Sequence, residues 1–222
     1  MKLSKSSFIR SMQCKKSLYL NAFHKKERNP IDPITQEKFD AGHSTGFLAR
    51  ELFPNGIDVS IPKFKYSLSY SNTQKLIRQN EAVVYEATFL SNTLLCMLDI
   101  LVVKNGELHV FEVKNSSSMK EVFENDAAFQ FYVMNECGYR PASFSIMHRN
   151  PINLNSVKIQ DQFVSIDITK QCIDKQECVK QEIEHSLMTL QVRRIPEVVM
   201  SAHCETPYPC DFTKFCLKTK MN

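Results

Sequence analysis

Three runs in the middle of the chain carry the pattern of buried strands: AVVYEATFL, LLCMLDILVVK and ELHVFEVKN. They are rich in β-branched and aromatic residues and are broken at Ser91-Asn92 and Asn105-Gly106. The second break is a strong hairpin signal, so the three runs predict an antiparallel meander. Upstream, Ser4 can cap a helix running through Cys14 to about Asn21, with Phe8, Met12 and Leu18 as its apolar contacts. KKERNPIDP is then a polar loop, and a helix is expected from about Ile34 to Leu52, ended by FPNG. A further helix is expected over Ser71 to Gln79. After the meander the apolar positions return at helical spacing from Met119 to Glu136, and Gly138 is a natural stop. PASFSIMHR predicts a fourth strand and QFVSIDIT a fifth. A polar helix is expected over about Lys170 to Arg193, and the last twenty residues read as loop. This order gives an α/β fold with a mixed sheet flanked by helices. Five glycines and no glycine-rich phosphate loop exclude a Rossmann pattern.

At 222 residues the chain can build one sizeable core. No apolar run reaches about 18 residues, so a membrane-spanning helix is not expected. The start MKLSKSSFIRSMQCKK lacks the apolar centre of a secretory signal, which leads to the expectation of a cytoplasmic protein. In that compartment the eight cysteines are not expected to form disulfides. The net charge of +4 says little about partners. Lys15, Lys16, Lys25, Lys26 and Arg28 near one end, and Lys214, Lys218 and Lys220 near the other, read as solvated surface on charge alone.

Candidate chemistry starts with Glu112 and Lys114. Two residues apart on a strand, they leave the same face. Asp99 stands in the middle of the preceding, otherwise apolar strand, across the Asn105-Gly106 turn. Burying three charges costs several kcal/mol unless they compensate one another. Three readings remain: a structural ion pair between strands, Glu112 and Lys114 simply facing solvent, or carboxylate ligands for Mg²⁺ with a lysine beside them. His43, among the small neighbours Ala41, Gly42 and Ser44, and Gln130, on the helix after the ExK strand, could complete such a site. Glu86, on the first strand, reads as structural.

The tail CETPYPCDFTKFC holds Cys204, Cys210 and Cys216, with five residues between each successive pair. Three cysteines so close look like a ligand set, and a tetrahedral centre needs a fourth. Cys14 is the best candidate, which would fasten the two ends of the chain together. Zinc and iron–sulfur both remain open on spacing. Cys96, Cys137, Cys172 and Cys178 read as inert.

The ordered set Cys14, His43, Asp99, Glu112-Val113-Lys114, Gln130, Cys204, Cys210 and Cys216 resembles the PD-(D/E)XK nuclease superfamily. The likeness is to the RecB-like branch with an iron–sulfur cluster, in which the CRISPR-adaptation nucleases and the AddB nuclease domain are similar in layout. LSKSSFIRSMQCKKSLYL, GFLARELFPNG, DAAFQFYV and CETPYPCDFTKFC extend the resemblance over nearly the whole chain. Two positions differ: Met134 stands where the family's helix motif has tyrosine, with Tyr132 nearest, and the tail is C-x₅-C-x₅-C rather than C-x₂-C-x₅-C.

The resemblance implies a restriction-endonuclease-like core over about 34–169, with cluster-bearing segments over about 1–30 and 195–222, all in one nuclease domain. It implies Mg²⁺ or Mn²⁺ at His43, Asp99, Glu112 and the Val113 carbonyl. Lys114 would position or activate water, and Gln130 would orient Lys114 or DNA. A structural 4Fe–4S cluster would sit on Cys14, Cys204, Cys210 and Cys216. The implied activity is hydrolysis of DNA, as an exonuclease on single strands or duplex ends, with Tyr19, Phe23 and Tyr208 available to stack on bases. The alternatives are a non-catalytic nucleic-acid-binding module stapled by zinc or iron–sulfur, and a structural zinc protein of a larger complex.

Overall fold

The computed structural model describes residues 2–61, 65–192 and 194–220. Its strands are β1 (Leu3–Ser4), β2 (Ile57–Asp58), β3 (Glu81–Leu90), β4 (Leu94–Lys104), β5 (Glu107–Lys114), β6 (Ser143–Arg149) and β7 (Phe163–Asp167). The helices are α1 (Lys5–Gln13), α2 (Lys15–Phe23), α3 (Pro33–Arg50), α4 (Tyr66–Ile77), α5 (Glu121–Glu136), α6 (Thr169–Asp174), α7 (Gln176–Gln191) and α8 (Thr213–Lys220). Among the described residues the strands form one sheet in the order β2-β3-β4-β5-β6-β7, with β1 added to β4. β3, β4 and β5 are the expected antiparallel meander. β6 runs parallel to β5 and β7 antiparallel to β6, so the sheet is mixed. Asn105 and Gly106, at φ of 52° and 79°, both take the left-handed conformation that a two-residue hairpin turn demands. No helix among the described residues is long and apolar enough to cross a membrane.

The sheet has two apolar faces. α1, α2, α4, α5 and α7 cover one, where Phe8, Leu98, Leu101, Val110, Phe129 and Phe144 are fully enclosed. α3 and the turn after it cover the other, with Leu48, Ala49 and Phe53 against Tyr85, Ile100, Phe111 and Val113. A regular strand alternates faces every residue. Yet Val84 and Ala87 share the first face, as do Leu98 and Leu101, each pair three residues apart. The alternation therefore slips between them, at Glu86 and near Asp99. Glu86 has φ of 55°, and the paired residues on either side of it, Tyr85↔Ile100 and Ala87↔Leu98, put it opposite Asp99. One residue on each strand takes part in the slip, and it re-aims the side chains on either side of it.

Several elements differ from expectation. The first helix is two helices, because Cys14 is extended (φ −165°, ψ 116°) and breaks the run. The break turns α2 so that Leu18 and Leu20 are buried. The helix expected at Ser71 begins at Tyr66. The C-terminal helix is divided at Lys175, where the Gln176 side-chain amide takes over the Cys172 carbonyl at 2.7 Å. Arg193, its expected end, lies outside the described residues, as do Met1, Met221 and Asn222 at the ends of the two cluster-bearing segments. The tail is not loop throughout: once Pro207 and Pro209 are passed, α8 forms and carries Cys216.

Candidate active site and cysteine cavity

The site forms where β4 changes neighbours. β5 pairs with β4 only as far as Ile100↔Phe111. Beyond it, Glu112, Val113 and Lys114 keep their pairing with β6. The edge of β4 is taken up again by β1, at Leu3↔Leu94 and Ser4↔Leu95. Between these two partners lies Asp99. Its carboxylate stands in for the missing ladder, accepting the Val113 N–H on Oδ2 at 2.7 Å. The parting lies inside the sheet, and it leaves the Asp99 carboxylate between β4 and β5.

Glu112 and Lys114 leave β5 on one face, as the spacing requires, and meet α1 and α5. The Lys114 ammonium donates to Glu112 Oε1 at 2.8 Å and also contacts Asp126 Oδ2. Lys5, the first residue of α1, donates to the same Glu112 Oε1 at 2.7 Å and lies 3.9 Å from Asp126. Gln130, one helical turn beyond Asp126 on α5, is fully enclosed. Burial raises Asp99, and the neighbouring Glu112 carboxylate adds to the rise, to about 7. Burial alone would raise Glu112 too, but the ammoniums of Lys114 and Lys5 outweigh it and hold the group well below the usual range. Burial would lower Lys114, and the carboxylates of Asp126 and Glu112 reverse that. Glu86, opposite Asp99, is held by Arg50 at 2.9 Å, which also binds Asp58 at 2.7 Å.

Among the described residues four buried polar atoms of β5 and α5 have no hydrogen-bond partner: Glu112 Oε2, Asp126 Oδ1, and both Oε1 and Nε2 of Gln130. Each orphan costs about 1–3 kcal/mol, so together they are a stability sacrifice of the sort functional sites make. Gln130→Met keeps the volume and removes two of them. It is expected to raise stability by about 1–2 kcal/mol, seen as a higher thermal midpoint. A lower midpoint would mean that the Gln130 amide is satisfied in the folded protein.

Of the expected site residues, Asp99, Glu112, Val113 and Lys114 are brought together, and Gln130 lies enclosed one helical turn from Asp126 with no side-chain hydrogen bond among the described residues. His43 is not part of this group. It stands exposed on α3, the helix that covers the opposite face of the sheet, with no hydrogen bond among the described residues. Lys5 and Asp126 were not anticipated. Asp126 had a signal, since its spacing of four from Gln130 places both on one helix face; Lys5 had none. Among the described residues, no three His, Cys, Asp or Glu side chains are gathered tightly enough to hold a metal ion. The free oxygens of Glu112 and Asp126 nevertheless fit a hard cation, which takes carboxylate and water oxygens.

The second constellation lies at the far end of α1. Cys14, Cys204, Cys210 and Cys216 line one cavity, walled by Leu20, Met200 and Phe212. All four are free thiols. Burial raises Cys14, against the amides of Ser17 and Lys16, and Cys210 and Cys204 raise it further. Burial likewise raises Cys216, with Lys16 opposing. The surrounding chain is tied without any metal. Arg10 grips Asp211 with both nitrogens, Arg28 adds a contact at 3.1 Å, and the Gln13 amide donates to the carbonyls of His203 and Tyr208 at 2.8 and 2.6 Å. Four thiols lining one apolar cavity are the donors that a thiolate-bound cluster or zinc would use, although among the described residues they are not gathered tightly enough to hold a metal ion as they stand.

No family model matches the chain, and no curated protein matches it. Among solved structures, one described as "Crystal structure of SSO0001" is similar over 97% of this chain and 85% of that one, at 12% identity and a TM-score of 0.44.

Proposed function

We propose that this chain is a metal-dependent DNA nuclease of the PD-(D/E)XK type, acting on single strands or duplex ends, with a structural 4Fe–4S cluster on Cys14, Cys204, Cys210 and Cys216. The observation that carries the reading is the buried charge cluster beside β4. Asp99, Glu112, Lys114, Asp126 and Lys5 gather there, with carboxylate oxygens of Glu112 and Asp126 that no group among the described residues satisfies. In the reaction water attacks phosphorus, one P–O bond breaks, and the products are a phosphomonoester and an alcohol. Asp99, Glu112 and the Val113 carbonyl would hold Mg²⁺ or Mn²⁺. When bound, the ion would act as a Lewis acid on the phosphate and increase the acidity of water. Lys114 donates hydrogen bonds toward the oxygens on which charge develops. Asp126 fixes the Lys114 ammonium by contact. Gln130, one helical turn from Asp126 on α5, would orient water or a phosphate oxygen.

One observation favours the rival reading of a binding module without catalysis: both lysines sit on Glu112 and His43 is elsewhere. A single assay separates the two. Protein purified without oxygen is incubated with end-labelled single-stranded DNA in Mn²⁺ or in chelator. The nuclease reading expects degradation in Mn²⁺ alone. DNA that is bound but intact in both leaves only the binding module.

A further inference from the structure

Lys5 has no place in the reading above, yet it is fixed with unusual care. Leu3 pairs with Leu94 and donates its N–H to Thr93 at 2.7 Å. The Lys2 ammonium reaches the carbonyls of Ser91 and Asn92 at 2.7 and 2.6 Å. The Ser4 hydroxyl caps α1 by accepting the Ser7 N–H at 3.3 Å. One turn on, Phe8 stacks on Phe129 of α5 with ring centres 4.6 Å apart. A two-residue strand, a cap and an aromatic stack thus deliver one side chain to Glu112 and Asp126.

A structural ion pair does not call for that side chain. Glu112 already has Lys114, and a second ammonium on the same oxygen adds like-charge repulsion while Oε2 stays unpartnered. The arrangement makes sense for a site that is to be filled. With all three carboxylates ionised, as a bound cation would require, Asp99, Glu112 and Asp126 against Lys5 and Lys114 total one negative charge. One divalent cation and one phosphodiester together bring it to zero; without Lys5 the filled site would keep a net negative charge facing DNA. The two lysines also differ in access. Lys114 is 16% exposed and held by Asp126, whereas Lys5 is 28% exposed.

We propose that Lys5 is a second phosphate-facing cation of this site. It occupies Glu112 until a divalent ion binds there, and then serves the non-bridging oxygens of the bound phosphodiester. The proposal rests on the nuclease reading for its cleavage arm, while its binding arms stand without it.

The test compares wild type, Lys5→Met and Lys5→Arg in three measurements: Mn²⁺ affinity by calorimetry, single-stranded DNA binding in Ca²⁺ across a salt series, and single-turnover cleavage in Mn²⁺. Lys5→Met should bind Mn²⁺ about 3- to 10-fold tighter, since the competing ammonium is gone. It should bind DNA more weakly, with a log–log salt slope lower by about one phosphate contact. Its cleavage rate should fall about 100-fold. Lys5→Arg, which keeps charge and stem, should fold as wild type does and recover the DNA slope. Unchanged Mn²⁺ affinity with an unchanged salt slope overturns the proposal, whatever the cleavage. Wild type that never cleaves, while both binding shifts appear, overturns the nuclease reading and leaves Lys5 as a phosphate-binding group.

Discussion

On the proposed nuclease reading, Asp99→Asn and Lys114→Ala should each lower DNA cleavage about 1000-fold, yet differ sharply in stability. Removing one preorganised group that acts on transition-state charge costs about 10²–10³ in rate, and loss of a metal carboxylate adds to that. The stability contrast follows from the geometry. Asp99 uses its carboxylate as an acceptor for the Val113 N–H. Burial and Glu112 already push it toward the neutral form. Asparagine has the same shape and keeps the acceptor, so the fold should tolerate it with a change of under about 1 kcal/mol. Lys114 is different. Its loss leaves the buried Asp126 with no cation nearer than Lys5 at 3.9 Å, while Glu112 keeps Lys5. A buried carboxylate stripped of its partner costs about 3 kcal/mol. Urea unfolding of the two variants, beside end-labelled DNA assays, separates a lost reaction from a lost fold. Asp99→Asn that is as stable and as active as wild type would remove this carboxylate from the chemistry.

How far these residues were legible varies with the range of the interaction that places them. The meander and its Asn105-Gly106 turn were readable because strand period and turn chemistry are local. Glu112 and Lys114 sharing a face was readable for the same reason. Gln130 on the helix after the ExK strand was readable as well, because that helix is long and regularly spaced. The alternation slip at Glu86 and Asp99 was not, since both strands slip together and the hydrophobic run continues on either side. β1 is two residues long, shorter than any periodicity, and it sets the position of Lys5 through pairing with a strand ninety residues away. His43 failed for the opposite reason. Its small neighbours were local and visible, but which face of the sheet α3 covers is decided by Leu48 and Ala49 packing on Tyr85 and Phe111. Cys14 was picked out as a ligand, while the break it makes between α1 and α2 went unread, because nothing in SMQCKK is a helix breaker.

That break bears on the second large effect. Protein purified without oxygen is expected to be brown, with absorbance near about 400 nm, and Cys14→Ala or Cys204→Ala should abolish the colour. Cys96→Ala and Cys172→Ala should leave it, since those thiols are buried elsewhere in the main core. The centre would close a loop spanning nearly the whole chain, which in an entropy model contributes several kcal/mol, or about 10 °C in thermal midpoint. The ion pairs of Asp211 with Arg10 and Arg28 are partly exposed and cannot substitute, since such pairs contribute about 0–1 kcal/mol each. The damage should not stay local. α1 is nine residues long, with Cys14 directly after its last turn and Lys5 in its first. Freeing one end loosens the other, so cysteine variants should lose DNA cleavage before they lose the sheet. Cleavage and far-ultraviolet circular dichroism followed together on one heating ramp would reveal that order. A colourless protein with one zinc per chain keeps the staple and replaces its metal. A protein with neither iron nor zinc, as stable as its Cys14→Ala variant, would mean that the four thiols share a cavity and nothing more.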